Sequence, residues 1–162
     1  MKILYYGGQK SGKSHLAEEK ILSFSLQKPV YIATYDDSYN DYEMHKKIAL
    51  HQKRRGDSFI TVQEPLMLHE VVKDGGFYLI DCLSMWILNL LEKQIDYQPI
   101  LEKLLSTDAT IVFVLNDVNR GIIPDGALSR RYVDLSGVIG QSVAFVCDEV
   151  YEVVLGLPKR IK

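Results

Sequence analysis

The chain has 162 residues, 47% of them hydrophobic and 25% charged, with a formal net charge of -2. Those values fit one globular domain over residues 1–162 with a single core, and the near balance of charge argues against a general nucleic-acid or membrane surface. No apolar run reaches the ~18 residues of a membrane span, MKILYYGGQK leaves no room for a signal peptide, and Cys82 and Cys147 stand outside any CxxC pattern, so a cytoplasmic protein without a disulfide framework or zinc site is expected.

Ile3 to Tyr6 is a short apolar run stopped by Gly7-Gly8, and Ser14 to Leu26 carries a helical stripe of Leu16, Ala17 and Ile21, which reads as strand, glycine loop, helix. Pro29 opens a second strand, VYIAT, and Tyr42 to Arg55 reads as a charged surface helix with Met44, Ile48 and Ala49 at helical spacing. Phe59 to Val62 is a weak strand and Pro65 to Val72 a short helix. The strand FYLID then leads directly into a helix from Leu83 to Glu92. Tyr97 to Leu105 is the next helix. Ala109 to Leu115 is a continuous β-branched run, as expected for a strand buried on both faces. A long helix from Ala127 to Val146 follows, with Tyr132, Leu135 and Ile139 on one face; Tyr151 to Leu155 is a strand, and Gly156 turns it into a last antiparallel edge strand, Leu157 to Ile161.

Strands alternating with helices imply an α/β three-layer fold around a mainly parallel sheet, with an antiparallel strand at its C-terminal edge. With GGQKSGKS, Gly7 to Ser14, as a glycine loop between the first strand and the first helix, the expected class is the P-loop NTPase fold of the RecA-like kind. Ligands then belong at the carboxyl ends of the strands, just after Tyr6, Thr34, Asp81 and Leu115.

The segment Gly7-Gly8-Gln9-Lys10-Ser11-Gly12-Lys13-Ser14 matches the whole G-x-x-x-x-G-K-[ST] pattern and lies between a strand and a helix. Gly7, Gly8 and Gly12 let the backbone curl with its N–H groups inward, and the helix beginning near Lys13 adds its positive dipole end. Lys13 brings positive charge to the outer phosphates of a purine nucleoside triphosphate, ATP or GTP, and Ser14 a hydroxyl to Mg²⁺. Asp81, at the end of FYLID, is either the carboxylate of the Mg²⁺ shell or a cap for the following helix.

On the Tyr42–Arg55 helix, Lys47, His51, Arg54 and Arg55 share a face. This is either a solvated charged face or a nucleophilic site. In the second reading a neutral His51 nitrogen attacks the α-phosphate of a nucleoside triphosphate and expels pyrophosphate, and the cations stabilise the developing charge.

In their order and spacing, GGQKSGKS, YIAT, EMHKKIALHQKRR, TVQEP, LIDCLSMWILNLL, NDVNRGIIP and DEVYEVVLGLPKRIK resemble the bifunctional adenosylcobinamide kinase/adenosylcobinamide-phosphate guanylyltransferases of cobalamin biosynthesis. The resemblance covers essentially the whole chain. It implies phosphorylation of the aminopropanol hydroxyl of adenosylcobinamide with ATP or GTP, then transfer of GMP from GTP through a guanylylated histidine. Ile48-Ala49-Leu50-His51 meets the family's I-x-x-H pattern and marks His51 as that histidine. By the same matching, Ala33, Thr34, Tyr35, Gln52, Lys53, Arg54, Arg55 and Gln63 join the phosphate loop and Asp81 as nucleotide contacts, and a homo-oligomer, a trimer, is implied.

The chain departs from the family pattern at three places. Gln63 stands where an acid is usual, which weakens the pairing with guanine's N–H donors unless Glu64 compensates. Asn119 replaces a glycine in the Asn116-Asp117-Val118-Asn119 stretch, and Phe59 a tryptophan. Asp117 and Arg120 are either contacts for the corrinoid or part of a surface loop. The helix from Leu83, apolar on nearly every face, is either deeply buried or a subunit interface. Two other activities fit the same motifs: a P-loop kinase in which His51 is incidental, and a nucleotide-gated binding module that turns nothing over.

Overall fold

The computed structural model describes residues 1–24, 27–36 and 56–162. The helix expected over Tyr42–Arg55, and with it His51, Gln52, Lys53, Arg54 and Arg55, lies outside the described residues.

Seven strands form one sheet in the order β3-β2-β4-β5-β1-β6-β7. They are β1 (Lys2–Gly7), β2 (Val30–Ala33), β3 (Ile60–Gln63), β4 (Phe77–Asp81), β5 (Thr110–Asn116), β6 (Glu149–Val154) and β7 (Leu157–Arg160). Every pairing is parallel except that of β6 with β7, which is antiparallel, as the sequence pattern anticipates. The described helices are α1 (Lys13–Leu22), α2 (Leu68–Val71), α3 (Leu83–Lys93), α4 (Gln98–Ser106) and α5 (Ala127–Val146).

The β5 run TIVFVLN buries Ile111 to Leu115 because helices cover both faces of the sheet there. On one face α1 packs Ala17 and Ile21 against Ile3, Tyr5, Val112 and Val114. On the other, α3, α4 and α5 close over Leu4, Ile80, Phe113 and Leu115. Most of the apolar α3 points into this core: Leu83, Trp86, Ile87 and Leu90 are buried within the chain itself, while Met85, Leu88 and Leu91 are half-buried.

Several boundaries move from their sequence-based positions for local reasons. Helix α1 stops at Leu22, where the Ser23 hydroxyl bonds back to the Lys20 carbonyl at 2.7 Å and satisfies part of the helix end. Helix α2 is a single turn. The Glu64 carboxylate accepts from the backbone N–H groups of Leu66 (2.8 Å) and Met67 (2.7 Å), which holds 65–67 in a turn until Leu68. Strand β6 starts at Glu149, two residues earlier than its own pattern indicates, because it lies in register with the buried β1, Ile3 opposite Glu149.

The candidate nucleotide site

All the parallel strands end along one edge of the sheet. Read across it, the last residues are Gln63 on β3, Ala33 on β2, Asp81 on β4, Asn116 on β5, Gly7 on β1 and Val154 on β6. Strands lie about 4.8 Å apart, so Asp81 stands two strands, roughly 10 Å, to one side of the glycine loop.

The loop is curled as its glycines allow. Gly12, at φ 95, is the N-cap of α1 in a left-handed conformation that side chains resist. Gly7 is more tightly bound: a Cβ there would stand 2.5 Å from the Val153 carbonyl oxygen. The buried Lys13 donates its ammonium to the Gly8 carbonyl at 2.9 Å. Burial pushes this ammonium below the ordinary lysine range, and the nearby Cys82 and Asp81 pull it back in part. Inside the same loop the Ser11 hydroxyl is buried without a hydrogen-bond partner among the described residues. A buried hydroxyl of this kind calls for a ligand or water.

Asp81 accepts the Tyr31 hydroxyl on one carboxylate oxygen at 2.9 Å. Its neighbour Cys82 is half-buried, and burial, with Asp81 beside it, pushes the thiol up to about 11, so it is protonated at neutral pH and acts on Lys13 only in the alkaline range. Thr34 is fully buried and its hydroxyl bridges the Cys82 backbone, donating to the carbonyl at 2.8 Å and accepting from the N–H at 3.0 Å. The β2 end is tied further by Asn89, whose amide donates to the carbonyls of Thr34 (2.7 Å) and Pro65 (3.0 Å). Tyr35 is buried. The exposed Gln63 donates its side-chain amide to the Tyr35 carbonyl at 3.0 Å; since that carbonyl can only accept, the amide oxygen of Gln63 is the end left over. The Glu64 carboxylate is committed to the 65–67 turn at one oxygen.

On the other side of β5, Asp117 bonds its N–H to the Gly7 carbonyl at 2.9 Å. Its carboxylate takes the Arg120 guanidinium at 2.8 Å, and Arg120 continues to Glu152 on β6. Tyr6 donates to Asp117, and burial together with this carboxylate raises the phenol to about 12. Asn119 turns away from the strand ends, donating to the Val133 carbonyl on α5 at 2.9 Å and lying over Gly137.

The structure thus brings Gly7–Ser14, Ala33, Thr34, Tyr35, Gln63 and Asp81 to one sheet edge. Three participants fall within the stretches LIDCLSMWILNLL and DEVYEVVLGLPKRIK without being marked there as site residues: Asn89, Glu152, and the β6–β7 turn, whose Gly156 N–H donates to the Ser11 carbonyl at 2.8 Å. Gly156 is legible only as a turn residue. Among the described residues there is no group of three or more His, Cys, Asp or Glu side chains suited to a metal. A Mg²⁺ ion here would rely on one hydroxyl, one carboxylate, water and phosphate oxygens, a donor set that suits it.

Comparison with known proteins agrees with this architecture. A flagellar accessory protein, FlaH from Methanocaldococcus jannaschii, superposes with a TM-score of 0.50 at 14% identity, over 99% of this chain and 77% of that one; it shares the fold. The bifunctional adenosylcobalamin biosynthesis protein CobP of Pseudomonas aeruginosa is 38% identical over 172 residues, covering 100% of this chain and 98% of the relative. The protein named CobU of Escherichia coli is 30% identical over 186 residues, 100% of both chains. The family model described as cobinamide kinase / cobinamide phosphate guanyltransferase matches residues 3–161, and the chain belongs to that family.

Proposed function

We propose that this chain phosphorylates the aminopropanol hydroxyl of adenosylcobinamide with ATP or GTP, then transfers GMP from GTP to the new phosphate, giving adenosylcobinamide-GDP and pyrophosphate. The observation that carries this reading is the glycine loop, with its left-handed Gly12, buried Lys13 and a Ser11 hydroxyl without a partner among the described residues, in a chain that matches its bifunctional relatives end to end.

The curled loop offers backbone N–H groups to phosphate oxygens, and Lys13 exchanges its bond to Gly8 for one to the outer phosphates. A buried ammonium gains strongly from an anion because it has already lost its water. Ser14 and Asp81 are the residues that would hold Mg²⁺, which would supply charge neutralisation on the outer phosphates. His51 is the nucleophile of the second step: its neutral nitrogen bonds to the α-phosphorus of GTP, pyrophosphate leaves, and the substrate phosphate oxygen then takes GMP and frees the histidine. Gln52 to Arg55 follow it in sequence as cations and donors for the same phosphates. The amide oxygen of Gln63, the end not used in the bond to Tyr35, serves as an acceptor for a guanine N–H, one acceptor where a carboxylate would give two.

No described helix is long and apolar enough to cross a membrane. We expect a cytoplasmic homo-oligomer, a trimer on the family resemblance.

The test uses Mg²⁺ and GTP labelled at the α-phosphate. Acid-labile, alkali-stable label on wild-type protein that disappears in His51→Ala, with adenosylcobinamide phosphorylation retained, is the expected result. Lys13→Ala should lose both activities. No label in protein that binds GTP would leave a kinase alone and sink the transferase assignment.

A further inference from the structure

We propose that the β6–β7 hairpin seats the nucleoside of the phosphoryl donor, with Leu155 as an apolar shelf under the purine ring. This inference rests on the phosphoryl-transfer reading above and adds a binding site to it.

The hairpin is part of the wall of the phosphate loop. Its Gly156 N–H bonds to Ser11 at 2.8 Å, and a Cβ on Gly12 would stand 3.3 Å from the Gly156 Cα. The side chains at its tip are nevertheless left to solvent: Val154 is 51%, Leu155 91% and Leu157 73% exposed. Both central residues of the turn have positive φ, 51 for Leu155 and 82 for Gly156. A two-residue turn of that kind favours Asn-Gly, and a leucine there costs backbone energy and gains no burial within the chain. Strain of this sort at a loop edge points to a ligand that offsets it.

Topology says which ligand. Asp81 on β4 and the hairpin lie on opposite sides of the loop on β1. Terminal phosphates drawn toward Lys13 and Asp81 leave the nucleoside on the far side, over β6 and β7. Val154, Leu155 and Leu157 carry no side-chain donor or acceptor, so the shelf meets the face of a purine and does not read its edge. ATP and GTP then serve equally as phosphoryl donors.

The test compares the affinity for ATP with that for inorganic tripolyphosphate, both with Mg²⁺, by calorimetry on wild type and Leu155→Asn. Asparagine suits the positive φ, so the turn is kept while the apolar surface is lost. The expected result is an ATP Kd raised about tenfold with tripolyphosphate changed by less than about twofold. An unchanged ATP Kd overturns the shelf, and so does an equal loss for both ligands, which would mean that the turn acts only by shaping the loop. A change in oligomer size by light scattering with unchanged ATP affinity would give the patch to a second copy of the chain and overturn it too. If wild type binds neither ligand, the phosphate-loop reading itself falls; if it binds both and only the Leu155 comparison fails, that reading stands.

Discussion

Lys13 is buried, with the Gly8 carbonyl at 2.9 Å as its hydrogen-bond partner among the described residues, and its ammonium is held below the ordinary lysine range chiefly by desolvation. The sign of the consequence is fixed. The free protein loses this charge at a lower pH than an exposed lysine would, so triphosphate affinity should fall on the alkaline side before the ordinary range of about 10.4 is reached. Arginine stays charged throughout. Lys13→Arg, if it still binds, should show no such fall; Kd for GTP measured against pH checks it, and a limb that persists in the variant would assign the titration to another group.

At the scale of elements, α3 does more than fill the core. Trp86 is fully buried, and its indole N–H donates to the Leu66 carbonyl at 2.7 Å, so the helix anchors the segment that follows β3. Three residues on, Asn89 ties the ends of β2 and that same segment together. Trp86→Ala removes a large buried ring and orphans a carbonyl, and should destabilise the fold by about 3–5 kcal/mol. Because the chain has one tryptophan, urea melts should be followed by circular dichroism. A loss below about 1 kcal/mol would mean that α3 repacks freely. The apolar all-round pattern of this helix is open in the sequence between burial and an interface; packing against the sheet and α5 within one core cluster accounts for its Leu83, Trp86, Ile87 and Leu90.

At the scale of the whole molecule, the phosphate loop depends on a strand from the far end of the chain. Val153 on β6 approaches so closely that a Cβ on Gly7 would stand 2.5 Å from its carbonyl oxygen. The obstacle is backbone within a paired strand and cannot swing aside. Gly7→Ala should therefore part β6 from β1, with a loss of about 1–3 kcal/mol in stability and a larger loss in triphosphate binding. Melting curves and GTP titration check it together; full binding in Gly7→Ala would show that the two strands can separate without harm.

The sequence by itself determined the strand–loop–helix around Gly7–Ser14, the buried β5, the antiparallel last hairpin and the family, because each rests on local chemistry: a glycine pattern, a hydrophobic period, a run of motifs in order. It also brought Asp81 and the 33–35 segment to strand ends. Only the tertiary structure decided what those ends touch. The Thr34 hydroxyl closes on the Cys82 backbone, Gln63 turns its amide to Tyr35, Asn119 reaches back to α5, and Arg120 joins Asp117 to Glu152. No periodicity encodes these contacts, since each joins residues on different elements whose separation is set by strand order and register. The hairpin at Leu155 is the clearest case: its turn is legible from Gly156, but its position against the phosphate loop exists only because β6 pairs with β1.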